Sequence, residues 1–163
     1  MNFAPAPSDE SRLATGQILH LLLADEYMLY ATTHDYQWTV AGPAFCSLHR
    51  LFADQYGLIQ QWLDAIAARV RGLTVGPRGN LAELTEAVRV STNPGLELSP
   101  ARMVAVLLGQ HENLADHLRT DAACTARLGD PETAGFLTSL QWQHEREAGL
   151  LRAHLKSEPA LST

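Results

Sequence analysis

TVGPRGNLAELTEAVRVSTNPGLELSP, residues 74–100, decides the architecture, because it is a long link between two strongly helical halves. Gly76, Pro77 and Gly79 stop the helix that precedes it. Ser99-Pro100 starts the helix that follows, a capping serine with proline at the first helical position. Within the link, Asn80 to Val90 has the character of a short helix with Asn80 as its cap. Helices that are neighbours in an up-down bundle are joined by a few residues, so a link of about twenty-five residues is a crossover along the bundle.

Working outward, apolar residues recur at helical spacing on both sides, and strand-like alternation is nowhere sustained. The first helix is expected from Ser8 to Trp38. Ile18, Leu22, Asp25, Leu29 and Thr32 follow one of its faces, and Leu19, Leu23, Glu26, Tyr30 and His34 follow the next. Thr39-Val40-Ala41-Gly42-Pro43 interrupts it, and a second helix runs from Ala44 to Leu73. A break this short makes the two antiparallel neighbours. After the crossover, a third helix extends from Ser99 to Leu128, where Gly129 supplies the stop. Asp130-Pro131-Glu132 repeats the start signal, and the fourth helix continues to Lys156. Two long helices, an extended link with a short helix and two more long helices form an all-α four-helix bundle with one long crossover. That connectivity is ferritin-like. Residues 1–163 make one domain, with 1–10 and 157–163 as loose tails.

Length and charge narrow the functions. A chain of 163 residues suffices for one sizeable core but not comfortably for two. A single lysine, Lys156, and eleven arginines make up the 12 cationic residues, and the formal charge is −6. No basic run is present to follow a phosphate backbone, which disfavours nucleic acid as a partner. No apolar stretch approaches the ~18 residues needed to cross a bilayer, and the first ten residues lack the features of a signal peptide. Cys46 and Cys124 do not make a disulfide framework, and a reducing cytoplasm is the expected compartment.

A di-iron bundle of this connectivity uses Glu-x-x-His pairs, which aim a carboxylate and an imidazole at one ion. None of the ten glutamates is followed by histidine at the third position, which disfavours a di-iron centre inside the bundle. His111-Glu112 and His144-Glu145 begin like a His-Glu-x-x-His zinc motif, but Ala115 and Ala148 stand where the second histidine belongs. His111, His117, His144 and His154 are expected to be surface or hydrogen-bonded residues.

Other stretches carry a family likeness. Leu23-Ala24-Asp25-Glu26-Tyr27-Met28-Leu29-Tyr30, Tyr36-Gln37-Trp38-Thr39-Val40-Ala41-Gly42-Pro43-Ala44-Phe45 and Leu48-His49-Arg50-Leu51-Phe52 closely resemble the Dps (mini-ferritin) family. Asn80-Leu81-Ala82-Glu83, Gln110-His111-Glu112, Leu128-Gly129-Asp130 and Gln143-His144-Glu145 extend the likeness over residues 12–156. The resemblance implies a dodecameric hollow shell that oxidises Fe(II) with peroxide or oxygen and stores ferric mineral. It also implies a ferroxidase centre between two subunits related by a twofold axis, with histidines from one and acids from the other.

Carried onto this chain, the first histidine of that centre is Gln37, the second is His49, and the acid four positions on is Ala53. The aspartate is Asp64, and the glutamate after it is Ala68. Only His49 and Asp64 therefore keep metal-binding side chains. Gln37 offers at most a neutral amide oxygen. His34 and Cys46, each three residues from one of these positions, could rebuild a His34/Cys46/His49/Asp64 set that favours a softer ion such as zinc over iron. The alternative is that Cys46 is a small buried hydrophobe and His34 a solvated or hydrogen-bonded side chain. The resemblance places Trp38 beside the centre, where aromatics absorb stray oxidising equivalents. It places Asp130 and Asp121 near acidic threefold pores, alongside a capping role for Asp130. The functions expected are an iron-sequestering, stress-protective cage with weakened or altered oxidation, a cage without metal chemistry, or a DNA-protecting protein.

Overall fold

A computed structural model describes residues 7–73, 81–90 and 98–157. Five helices follow in order: α1 (Asp9–Thr39), α2 (Phe45–Gly72), α3 (Leu81–Ala87), α4 (Pro100–Arg127) and α5 (Pro131–Ser157). No strand occurs among the described residues. The long pairs are α1 with α2 and α4 with α5; α1 also packs on α4 and α3, and α2 touches α5. That is the crossover bundle expected from the sequence.

Local chemistry sets the helix ends. Ser8 caps α1 by accepting from the Ser11 amide, and Ser99 caps α4 by accepting from the Arg102 amide, with Pro100 at the first turn. Gly42 (φ 95°) and Gly129 (φ 82°) occupy the left-handed region at the two tight corners, a conformation that side chains with a Cβ rarely adopt. The expected loose tail at residues 1–10 is corrected in part, because Asp9 and Glu10 already belong to α1. Ser157 likewise closes α5. The remaining tail residues, 1–6 and 158–163, and the expected Asn80 cap lie outside the described residues.

Five consecutive residues of α1, Leu22 to Glu26, are all buried. A helix with one exposed face cannot do this; α1 is enclosed here by α2, α3 and α4. Asp25 and Glu26 consequently look in different directions. Asp25 receives the Arg89 amide at 2.6 Å, the Val90 amide at 3.2 Å and the Arg89 guanidinium at 2.7 Å, which ties the end of the α3 segment to the bundle. Glu26 meets α5 instead. Around them Leu19, Leu29, Phe52, Ile59, Leu107, Leu114 and Leu137 are fully buried. Each such side chain contributes about 1.5–3 kcal/mol of transfer free energy.

Candidate metal centre

His49 lies half-buried on α2, and its Nδ1 is 3.0 Å from the main-chain carbonyl of Gln37. A carbonyl only accepts, so Nδ1 carries the proton and Nε2 keeps its lone pair. This is the arrangement that prepares an imidazole for a metal. Asp64 is exposed on the same helix, 15 positions further on. At 1.5 Å per residue the two are about 22 Å apart, so they share an ion only if a second copy of the chain supplies one of them.

The other residues of the rebuilt set do not join His49. Cys46 is exposed, which corrects the expectation of a buried thiol. The His34 ring lies 4.2 Å from Trp38 and stacks at 4.3 Å on Tyr56. Among the described residues, no three His, Cys, Asp or Glu side chains are arranged to hold one ion, so a single chain gives no support to a zinc site at His34, Cys46 and His49. Gln37 contributes its backbone to the ring of His49. Trp38 is 70% exposed, the surface expected of an aromatic that packs elsewhere or faces a neighbour.

Both expected pore acids have internal partners. Asp121 holds Arg89 at 3.1 Å, extending the Asp25 pair. Asp130 caps α5, accepting the Thr133 amide at 2.9 Å and the Thr133 hydroxyl at 2.6 Å, with Arg69 at 3.7 Å.

The chemistry that sequence reading missed lies on the bundle axis. His111 on α4 and His144 on α5 are fully buried, which corrects the expectation of a surface position while keeping the hydrogen-bonded one. Nε2 of His144 is 2.7 Å from Oε1 of Glu26, and Nδ1 of His144 is 2.9 Å from Nδ1 of His111. One turn further along α5, Glu147 accepts the Gln55 amide at 3.1 Å. Trp62 donates to Gln143 at 2.6 Å and lays its ring 4.7 Å from His144. All four long helices therefore contribute polar side chains to one buried cluster. A signal is present in the sequence: His144 and Glu147 stand in a His-x-x-Glu spacing, the reverse of Glu-x-x-His.

Proton positions in this chain follow from the acceptors. An ionised Glu26 can only accept, so His144 carries its proton on Nε2. The two facing Nδ1 atoms of His144 and His111 share one proton between them. Burial, and next the neighbouring His144, hold His111 well below the ordinary imidazole pKa, so this ring is neutral. Its Nε2 is buried without a hydrogen-bond partner, as are Oε2 of Glu26 and Oε1 of Gln55.

A four-helix bundle with one long crossover and a polar centre defines a ferritin-like protein. The Ferritin-like domain profile matches residues 16–160. A low temperature-induced protein of Nostoc sp. is 36% identical over 153 residues, covering 93% of this chain and 86% of that protein. The DNA protection during starvation protein of Brevibacillus brevis is 27% identical, covering 85% and 93%. DpsC from Streptomyces coelicolor superposes with a TM-score of 0.90 at 28% identity, covering 99% of this chain and 95% of that one. The chain belongs to the ferritin-like family, in its Dps branch.

Proposed function

We propose that this chain is a Dps-type mini-ferritin that assembles into a hollow homo-oligomeric shell, a dodecamer, and sequesters iron under oxidative stress, with Fe(II) oxidation weakened or altered. Family membership supports iron sequestration and stress protection. The observation that carries the altered site is His49: its ring is fixed through Nδ1 with Nε2 available, while Ala53 and Ala68 offer no donor at the neighbouring positions. Iron enters as the cargo. His49 of one subunit and Asp64 of another supply an imidazole and a carboxylate, a donor pair suited to Fe(II), and water completes the shell. Two ligands do not bridge two irons, so oxidation is slower than at a five-ligand centre. Twelve chains at −6 carry about −72, a field that concentrates cations at the shell.

The test loads purified protein with Fe(II) without oxygen, admits air or peroxide, and follows ferric absorbance together with particle mass. Oxidation above the protein-free rate that is lost in His49→Ala supports the proposal. An intact shell with no enhancement supports a structural cage instead, a reading favoured by Gln37, Ala53 and Ala68. DNA binding is the weaker alternative despite the names of several relatives, because the acidic balance and the absence of a basic run oppose it. A cytoplasmic setting is part of this proposal; no helix among the described residues is long and apolar enough to cross a membrane.

A further inference from the structure

We propose that Trp38, His34, Tyr56 and Tyr30 form a relay that carries single-electron oxidation from an exposed indole at the α1–α2 corner to half-buried phenols between the two helices. The relay stands independently of the reading of His49 and Asp64, because it needs a diffusible one-electron oxidant and no bound metal.

Spacing and packing build the chain of rings. Tyr27, Tyr30, His34 and Trp38 follow one another along α1 at steps of three, four and four, which puts them on one face. The His34 ring lies 4.2 Å from Trp38 and stacks at 4.3 Å on Tyr56, which arrives from α2. Tyr30 meets His34 at 5.7 Å and Tyr56 edge-on at 5.9 Å, and Tyr27 follows Tyr30 at 6.3 Å. Rings at such separations touch, so five side chains are joined without a gap. Trp38 is 70% exposed at one end, and the other four are half-buried.

Packing alone does not account for this arrangement. An indole that stays 70% exposed gains little from burial, so hydrophobic stabilisation does not explain why Trp38 ends a stack of rings. Trp142 supplies the comparison within the same molecule. It is equally exposed, yet among the described residues no ring lies against it. A radical formed on Trp142 has no aromatic path inward, whereas one formed on Trp38 has His34 and Tyr56 in contact behind it.

The chemistry runs in one direction. Indole and phenol give up an electron more readily than imidazole, and a phenol that sheds its proton holds the vacancy more stably than an indole. His34 is therefore a positioning residue that keeps Trp38 and Tyr56 in contact. A carbonate radical, the one-electron oxidant that peroxide chemistry forms in bicarbonate, takes an electron from Trp38 and becomes carbonate. Tyr56 returns an electron to the indole and releases its phenolic proton to water, and carbonate takes up that proton. The indole is restored, and the net products are one bicarbonate and one phenoxyl radical, which Tyr56 shares with Tyr30.

The test is pulse radiolysis of the assembled protein with the azide radical, a small oxidant selective for indole, following the indolyl and phenoxyl absorption bands. Trp142→Phe leaves Trp38 as the exposed tryptophan, and Trp38→Phe leaves Trp142. Both changes fall at exposed positions, and circular dichroism and particle mass confirm folding and assembly in every variant. In Trp142→Phe the indolyl band should decay into the phenoxyl band at a rate independent of protein concentration. In Trp38→Phe the indolyl band should form and persist without that conversion. Within Trp142→Phe, removing both phenols by Tyr30→Phe and Tyr56→Phe should abolish the conversion, and His34→Ala should slow it. Absence of conversion in Trp142→Phe overturns the proposal. So do equal conversion in the two tryptophan variants and conversion that survives the loss of Tyr30 and Tyr56. An unchanged rate in His34→Ala overturns the path through that ring. None of these readings involves a metal ion, so the iron test at His49 is decided separately.

Discussion

Asp25 shows how one buried charge can organise a link that has little core of its own. It is fully buried and takes two backbone amides and one guanidinium from Arg89 and Val90, while Arg89 also reaches Asp121. Replacing Arg89 with alanine leaves the carboxylate with its two backbone amides and the more distant His117 ring at 3.9 Å, and the loss should be about 2–3 kcal/mol, read as a lower urea midpoint. Asp25→Ala strands the amides and the guanidinium together and should cost at least as much. A second residue-scale effect belongs to His111. Its pKa is lowered on folding, so below about pH 6.5, the ordinary imidazole value, the unfolded chain takes up a proton that the folded chain refuses. Stability therefore falls as pH drops through that value, with a contribution approaching about 1.4 kcal/mol per pH unit. Thermal melts between pH 7.5 and about pH 5 should show this slope and should show it reduced in His111→Gln. The sequence placed Asp25 and Glu26 on adjacent faces of α1 but could not name their partners. Arg89 and His144 lie 64 and 118 positions away, and one sequence gives no sign of such distant pairing.

At the scale of elements, the readable features were those with local causes. Ser8, Gly42-Pro43, Ser99-Pro100 and Gly129-Asp130-Pro131 act on their own helix ends, and the observed bounds fall within about a residue of those expected from them. The caps differ in weight because their surroundings differ. Ser99 caps an exposed end, and Ser99→Ala should cost about 1 kcal/mol. Asp130 combines two hydrogen bonds to Thr133 with Arg69 from α2, so it joins the start of α5 to the end of α2 as well as capping. Asp130→Ala should therefore cost about 2 kcal/mol, at the upper end of capping effects. Denaturant midpoints of the two variants, measured side by side, check the order; equal losses would mean that Arg69 adds nothing. What the periodicity could not separate was a polar residue on an apolar face from a polar residue in a buried hydrogen-bonded cluster. His111, His144 and Glu147 fell at core positions of α4 and α5, and only the packing of four helices against one another reveals that His111 meets His144 and Glu147 meets Gln55.

For the whole molecule, the decisive dimension is the length of α2. His49 and Asp64 are about 22 Å apart along it, so one chain cannot supply both to the same ion. A twofold axis that sets α2 of one subunit against α2 of its twin produces two equivalent sites, each with a histidine from one chain and an aspartate from the other. This geometry predicts complementation between two inactive variants. His49→Ala and Asp64→Ala should each abolish Fe(II) oxidation when assembled alone. In a mixed dimer, one site has lost both ligands and the other has kept both. If the two chains are denatured, mixed in equal amounts and reassembled at random, half of the dimers are mixed and about one quarter of all sites are intact. Recovery of about a quarter of the unsubstituted rate, in particles of the same mass as either parent, is the expected outcome. No recovery from particles shown by mass spectrometry to contain both chains would mean that His49 and Asp64 do not meet across an interface.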